Sequence, residues 1–221
     1  MAIDKLKTAS KAHTRYYLAD GTLVPGATTI TGILNKPALV AWANKLGLEG
    51  IDSSKYVDKA ARIGTLIHAM VENHITEKNL DSSDYTQVEI EIANVGFFKY
   101  LDWEKQHKVE PIFNEKGFVS EKYKYGGTLD FYCKLDGKYT LIDFKSCKGI
   151  YDEQFCQVSG YGNLLRESKN KVEQILILRI GRSEDEGFEE KYIQPKEEKL
   201  YFKIFKSLVS VYYTKKELGW R

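Results

Sequence analysis

The chain has almost no net charge: 33 Lys and Arg stand against 31 Asp and Glu, leaving +2. That is too weak a bias to announce a nucleic-acid binder, so any phosphate-binding surface must come from local clustering. Cysteine is scarce as well. Cys133, Cys147 and Cys156 form no C-x-x-C pair and are odd in number, which argues against a disulfide framework and a cysteine-based zinc site and fits a reducing cytoplasm. No stretch of eighteen apolar residues runs without a charge, and the opening MAIDKLKTAS has no apolar core of a secretory signal, so the expectation is a cytoplasmic protein with no membrane partner. Repeats and low-complexity linkers are also lacking. What is present is 221 residues, 43% of them hydrophobic, enough for one α/β domain over 1–221, with a small N-terminal lobe over 1–50 and the main core over 51–221.

The N-terminal RYYLADGTLVP reads as two short strands around the Asp20-Gly21 turn, followed by a helix start at TTITGIL and a helix near Ala38–Leu46. Ile63, Ile67, Met70 and Val71 recur at helical spacing within a helix from about Ser53 to Ile75, and Val88, Ile92, Val95, Phe98 and Trp103 within one over Ser83–Gln106. After Pro111 the period changes to alternation. IFNEKGFVSEKY, GGTLDFYCKL and KYTLIDFKS are rich in aromatic and β-branched residues and read as strands. A helix over Asp152–Arg166, a buried strand VEQILILRI, an edge strand GFEEKYIQP and a closing helix over Glu197–Lys216 complete the order. The fold class expected is α/β, a central mixed β-sheet flanked by helices.

Asp136-Gly137 suits a two-residue type I′ turn, and that turn sets the register of its hairpin. Leu135 then pairs with Lys138, Cys133 with Thr140, and Asp130 falls opposite Asp143. Alternation puts Leu129, Phe131, Cys133, Ile142 and Phe144 on one face and Thr128, Asp130, Asp143 and Lys145 on the other. Two carboxylates directly opposite on a sheet repel unless a cation offsets them, and Mg²⁺ does so while keeping positions for water and phosphate. Lys145, on the same face, is placed to orient or help deprotonate an attacking water or to stabilise charge on a phosphate. The bland reading is a surface ion pair between Asp143 and Lys145; Asp136 and Lys138 make a second Asp-x-Lys with no carboxylate opposite, so the tripeptide alone decides nothing.

His68 and Glu72 lie four apart on one helix face, with Gly64 a turn earlier leaving room for close approach. A histidine among Leu66, Ile67 and Met70 also fits a half-buried structural residue, and His13 and His74 read as surface residues. Gln157 and Tyr161 are again four apart, suited to bond phosphate or stack on a base, or to pack on the sheet. Arg62, Lys148, Lys122 and Lys124 are candidates for backbone contacts, or are simply solvated.

Taken in order, GTLIHAMVE, GGTLD, LIDFKS and QVSGY resemble the histidine helix, first-aspartate motif, D-x-K strand and Q-x-x-x-Y helix of the RecB-like branch of the PD-(D/E)xK nucleases, over about residues 62–161. The lead-in YYLADGTLVPGATTITGILNKPALVAWA is similar to that of phage-type members, and the general likeness is to phage exonucleases and the mitochondrial genome-maintenance exonuclease. The resemblance implies a restriction-endonuclease-like core over 51–221 in which His68, Asp130, Asp143 and the backbone carbonyl of Phe144 ligate one or two Mg²⁺ or Mn²⁺ ions. It gives Lys145 the positioning of the water, and Gln157 and Tyr161 the orientation of the DNA strand, with Glu72 or Glu121 acting through water. The iron–sulfur cluster of many relatives needs four cysteines, which three scattered ones do not supply. RecB's helicase domains have no counterpart here, so the implied partner is DNA that is single-stranded or has free ends, alongside a replication or recombination protein. The expected activity is a metal-dependent DNA exonuclease in phage-type replication, recombination or repair. A structure-selective endonuclease or junction resolvase on the same core, and a catalytically silent DNA-binding protein, are the alternatives.

Overall fold

The computed structural model describes residues 14–34 and 36–220; the opening decapeptide and His13 lie outside them. Strands β1 (Tyr16–Tyr17) and β2 (Leu23–Val24) form a small antiparallel ribbon, followed by helices α1 (Ala27–Thr31), α2 (Pro37–Leu48), α3 (Ser53–Ile75) and α4 (Gln87–Glu104). Then come β3 (Val109–Ser120), β4 (Tyr125–Leu135), β5 (Lys138–Lys145), α5 (Asp152–Glu167), β6 (Gln174–Ile180), β7 (Phe188–Tyr192) and α6 (Pro195–Glu217).

Caps explain where the long helices begin. Asp52 accepts from the backbone N–H groups of Ser54 and Lys55 at 2.9 and 3.2 Å, which starts α3 where the pattern places it. In α4 the expected start at Ser83 is too early, because Thr86 and Glu89 form a capping box: Glu89 N–H donates to Thr86 Oγ1 at 3.3 Å, and Thr86 N–H to Glu89 Oε2 at 2.9 Å.

The five-stranded sheet runs β3-β4-β5-β6-β7, antiparallel throughout except for the parallel β5–β6 pair that α5 connects. This is the mixed α/β arrangement expected, consistent with a restriction-endonuclease-like core. One face packs Tyr132, Leu141, Ile175 and Ile177 against α1, α5 and α6, and the other packs Phe131, Cys133, Ile142 and Phe144 against α3 and α4. Covering both faces explains why LIDF and ILILRI read as nearly continuous apolar runs. Each fully buried Leu, Ile or Phe contributes about 1.5–3 kcal/mol of burial.

One residue of the expected inner face is misplaced. Leu129 belongs to the α5–α6 side, while Phe131 two residues on belongs to the α3–α4 side. Between them the partner strand is irregular: Glu115, in line with Asp130 between the pairs Asn114–Phe131 and Lys116–Leu129, has a left-handed backbone with φ 44°. Among the described residues no helix is long and apolar enough to cross a membrane.

Candidate metal centre

The β4–β5 turn has the positive φ values that a type I′ hairpin requires, 50° at Asp136 and 84° at Gly137. Its ladder contains Leu135–Lys138, Cys133–Thr140 and Phe131–Ile142. Asp130 and Asp143 stand next in that register. There the Phe144 amide donates to Asp130 Oδ2 at 3.0 Å, fixing one carboxylate oxygen and leaving the group directed along the cleft.

Helix α3 brings His68 to the same place. Gly64 packs against the strand end so closely that a Cβ would lie 2.2 Å from Ser146 Oγ, and no larger residue allows that approach without displacing Ser146. His68 Nδ1 sits 3.9 Å from Asp130 Oδ2, its ring edge-on to Phe144 with centroids 6.0 Å apart. The left-handed backbone at Glu115 adds a third group. Ligand atoms of His68, Glu115 and Asp130 all lie within 4.8 Å of one another. Non-glycine residues hold that backbone conformation at a cost of order 1–3 kcal/mol, and such strain concentrates at functional sites.

Asp143 is 1% exposed and lies at the floor of the cleft. Lys145 Nζ approaches its Oδ2 to 2.5 Å, an ion pair that sets a nearby ammonium against a buried carboxylate. Burial pushes the Asp143 carboxyl up to about 6; Lys145 opposes the rise and Asp130 adds to it. For Lys145, burial alone would lower the ammonium pKa, but Asp143 and Asp130 outweigh it and hold the group above its ordinary value. Acids that repel one another around an imidazole are stabilised by a shared cation, and two carboxylates with one imidazole within 4.8 Å are a donor set that a divalent ion can take.

These groups line one cleft of about 950 Å³ together with Thr28, Thr128, Gln157 and Tyr161. Gln157 Nε2 donates to Tyr161 Oη at 2.7 Å and to Thr28 Oγ1 at 3.1 Å, tying α5 to α1. Tyr161 lies against Gly127, where a Cβ would come within 2.4 Å of its ring, and burial pushes its phenol far above the usual range. Tyr16 similarly covers Gly126 and hydrogen-bonds Thr128 at 2.9 Å, while Pro25 C=O accepts from Gly126 N–H at 2.9 Å. The N-terminal ribbon is thereby part of the cleft wall.

Six sequence candidates are not brought to the cleft, Lys122 and Lys124 of the β3–β4 turn among them. Arg62 turns towards α4, where it donates to Glu89 Oε1 at 2.7 Å and to the Asp84 carbonyl at 2.8 Å. Lys148 is exposed and acts electrostatically on Asp185 and Glu186 instead. Glu121 accepts from the Ala19 N–H at 2.8 Å, a bond that holds the N-terminal ribbon to the β3–β4 turn. Glu72, one turn beyond His68, does not line the cleft. Conversely, sequence reasoning missed Glu115. Counting back from the Ser120–Tyr125 pair of the β3–β4 turn puts Glu115 in line with Asp130, so the signal was a second hairpin register.

No known family profile and no curated protein matches the chain. Several solved structures are similar at low levels, two of them as follows. One, a crystal structure of SSO0001, has 14% identity and a TM-score of 0.33, covering 69% of this chain and 74% of that one. The other, LHK-Exo in complex with dAMP, has 12% identity and a TM-score of 0.32, covering 72% and 92%. Likeness at this level carries no functional argument, which rests on the site.

Proposed function

We propose that this chain is a metal-dependent DNA exonuclease of the PD-(D/E)xK, RecB-like type. The observation that carries the reading is the convergence of His68, Glu115 and Asp130 within 4.8 Å, in one cleft with the buried Asp143–Lys145 pair. His68, Asp130 and Asp143, with the Phe144 carbonyl and Glu115, would hold one or two Mg²⁺ or Mn²⁺ ions. Such an ion, when bound, supplies positive charge against the phosphate and lowers the pKa of water. Lys145 stays protonated and, 2.5 Å from Asp143, is fixed where it can hold a water in line with the scissile phosphorus or donate to a phosphate oxygen as charge grows. Gln157 and Tyr161 orient the strand across the cleft. The site would act at DNA ends during replication, recombination or repair.

The test is cleavage of end-labelled linear and circular DNA, single- and double-stranded, with Mg²⁺, Mn²⁺ or Ca²⁺. Linear substrates are degraded, and Asp143→Asn and Lys145→Ala each lose at least a hundredfold in rate while remaining folded by circular dichroism. Undiminished cleavage by both variants would remove the assignment. Cutting of closed single-stranded circles would convert it to an endonuclease.

A further inference from the structure

A polyanion approaching this cleft meets Glu115, Asp130 and Asp143, with Lys145 already committed to Asp143. The ions proposed above would offset those acids at the floor; a strand crossing the mouth still needs cations of the protein, and Arg62 and Lys148 are not in position to supply them. Two basic residues do line the cleft besides Lys145: Arg15, just ahead of β1, and Lys216, in the last turn of α6. Both side chains are exposed, and neither takes part in an ion pair among the described residues. Helix α1 packs against both α5 and α6, so the two ends of the described chain meet at one mouth, with Tyr212 lining it one turn before Lys216. At about 950 Å³ the cleft is at the upper end of the size that encloses a drug-sized molecule. Its floor carboxylate is 1% exposed. That space is of the order of a few nucleotides of one strand, whose flexible backbone can follow a concave wall down to a buried carboxylate.

We infer that Arg15 and Lys216 form a two-cation clamp on the backbone of a single DNA strand, holding successive phosphates as the strand end descends to the acids. The clamp rests on the nuclease reading above and assigns it a substrate form. A lysine in the last turn of a helix also complements the helix dipole, a role that would register in stability and not in DNA affinity.

The experiment measures binding of a fluorescein-labelled single-stranded oligodeoxynucleotide in Ca²⁺ across a salt titration, for the wild type, Arg15→Gln, Lys216→Gln and the double variant. Lys199→Gln and Lys203→Gln serve as controls, being exposed lysines of the same helix outside the cleft. Each clamp substitution is expected to weaken binding and to reduce the slope of log Kobs against log salt by about 0.7, the contribution of one phosphate contact on a single strand. In Mg²⁺ the same variants raise KM with kcat held. Controls leave the slope unchanged, and the melting temperatures of all variants stay together. Wild-type binding with an unaltered slope in the double variant overturns the clamp alone, as does an equal effect from the controls or tighter binding of a blunt duplex. A wild type that neither binds nor cleaves DNA overturns the clamp and the nuclease reading together.

Discussion

Arg62→Ala separates a structural cation from a DNA-binding one. In the structure Glu89 accepts from Arg62 Nε at 2.7 Å, Arg62 Nη2 at 3.3 Å, Thr86 N–H at 2.9 Å and Thr86 Oγ1 at 3.0 Å. The Glu89 side chain is 9% exposed and that of Arg62 32%, so solvent screens the pair only on one side. Removing the guanidinium leaves a mostly buried carboxylate short of a charged donor, at a cost of about 1.5–3 kcal/mol. For a chain of this size that lowers Tm by roughly 3–12 °C. The same bonds, those to Arg62 foremost, hold the Glu89 carboxyl down at about 2 from an ordinary 4.5. A carboxyl depressed on folding contributes stability that is fully present above the unfolded value and is lost as pH falls through the folded one. The Tm gap between wild type and variant is therefore widest near neutral pH and narrows from about pH 4.5 downward. Thermal unfolding between about pH 3 and pH 7 measures it, beside DNA affinity at neutral pH. A variant that melts with the wild type but binds DNA more weakly would refute this account of Arg62.

Other perturbations give distinct readouts. Gly127→Ala places a methyl 2.4 Å from the Tyr161 ring and 3.2 Å from Leu164; overpacking should cost about 1–3 kcal/mol in urea unfolding and slow cleavage by displacing Tyr161 from Gln157. Mn²⁺ at a hundredfold its Kd should stabilise the wild type by about 2.7 kcal/mol in a thermal-shift assay. Asp130→Asn should abolish that gain, and a gain of equal size in Asp130→Asn would place the ion elsewhere. Glu115→Gln should weaken Mn²⁺ binding by calorimetry at least tenfold without lowering Tm. Gly137→Val should lose about 1 kcal/mol or more, because a β-branched residue opposes a φ of 84°.

What the sequence disclosed was local. Asp136-Gly137 fixes its own hairpin by turn chemistry, and the pairing as far as Phe131–Ile142 follows by counting, with Asp130 and Asp143 at the next positions. Helix α3 was legible because Asp52 caps it and its apolar stripe is regular. What was hidden depends on partners distant in the chain. Arg62 looks like any surface cation until Glu89, 27 residues on and in another helix, takes its donors. Glu115 sits in a strand whose alternation gives no hint of a left-handed backbone. Tyr16 finds Thr128 at a separation of 112 residues, which no local pattern encodes.

The bond from Pro25 to Gly126 and the ring of Tyr16 over Gly126 tie the earliest described segment to the strand that carries Asp130. The cleft takes its lining from Thr14 and Arg15 at one extreme and Lys216 at the other. Such an arrangement closes only after long loops have been brought together, so the cleft is expected to mature late in folding, behind the hairpins and helices that assemble locally. A chain still lacking α6 would carry the β4–β5 acids without the wall that Tyr212 and Lys216 supply, so the cleft is complete only when that helix is in place.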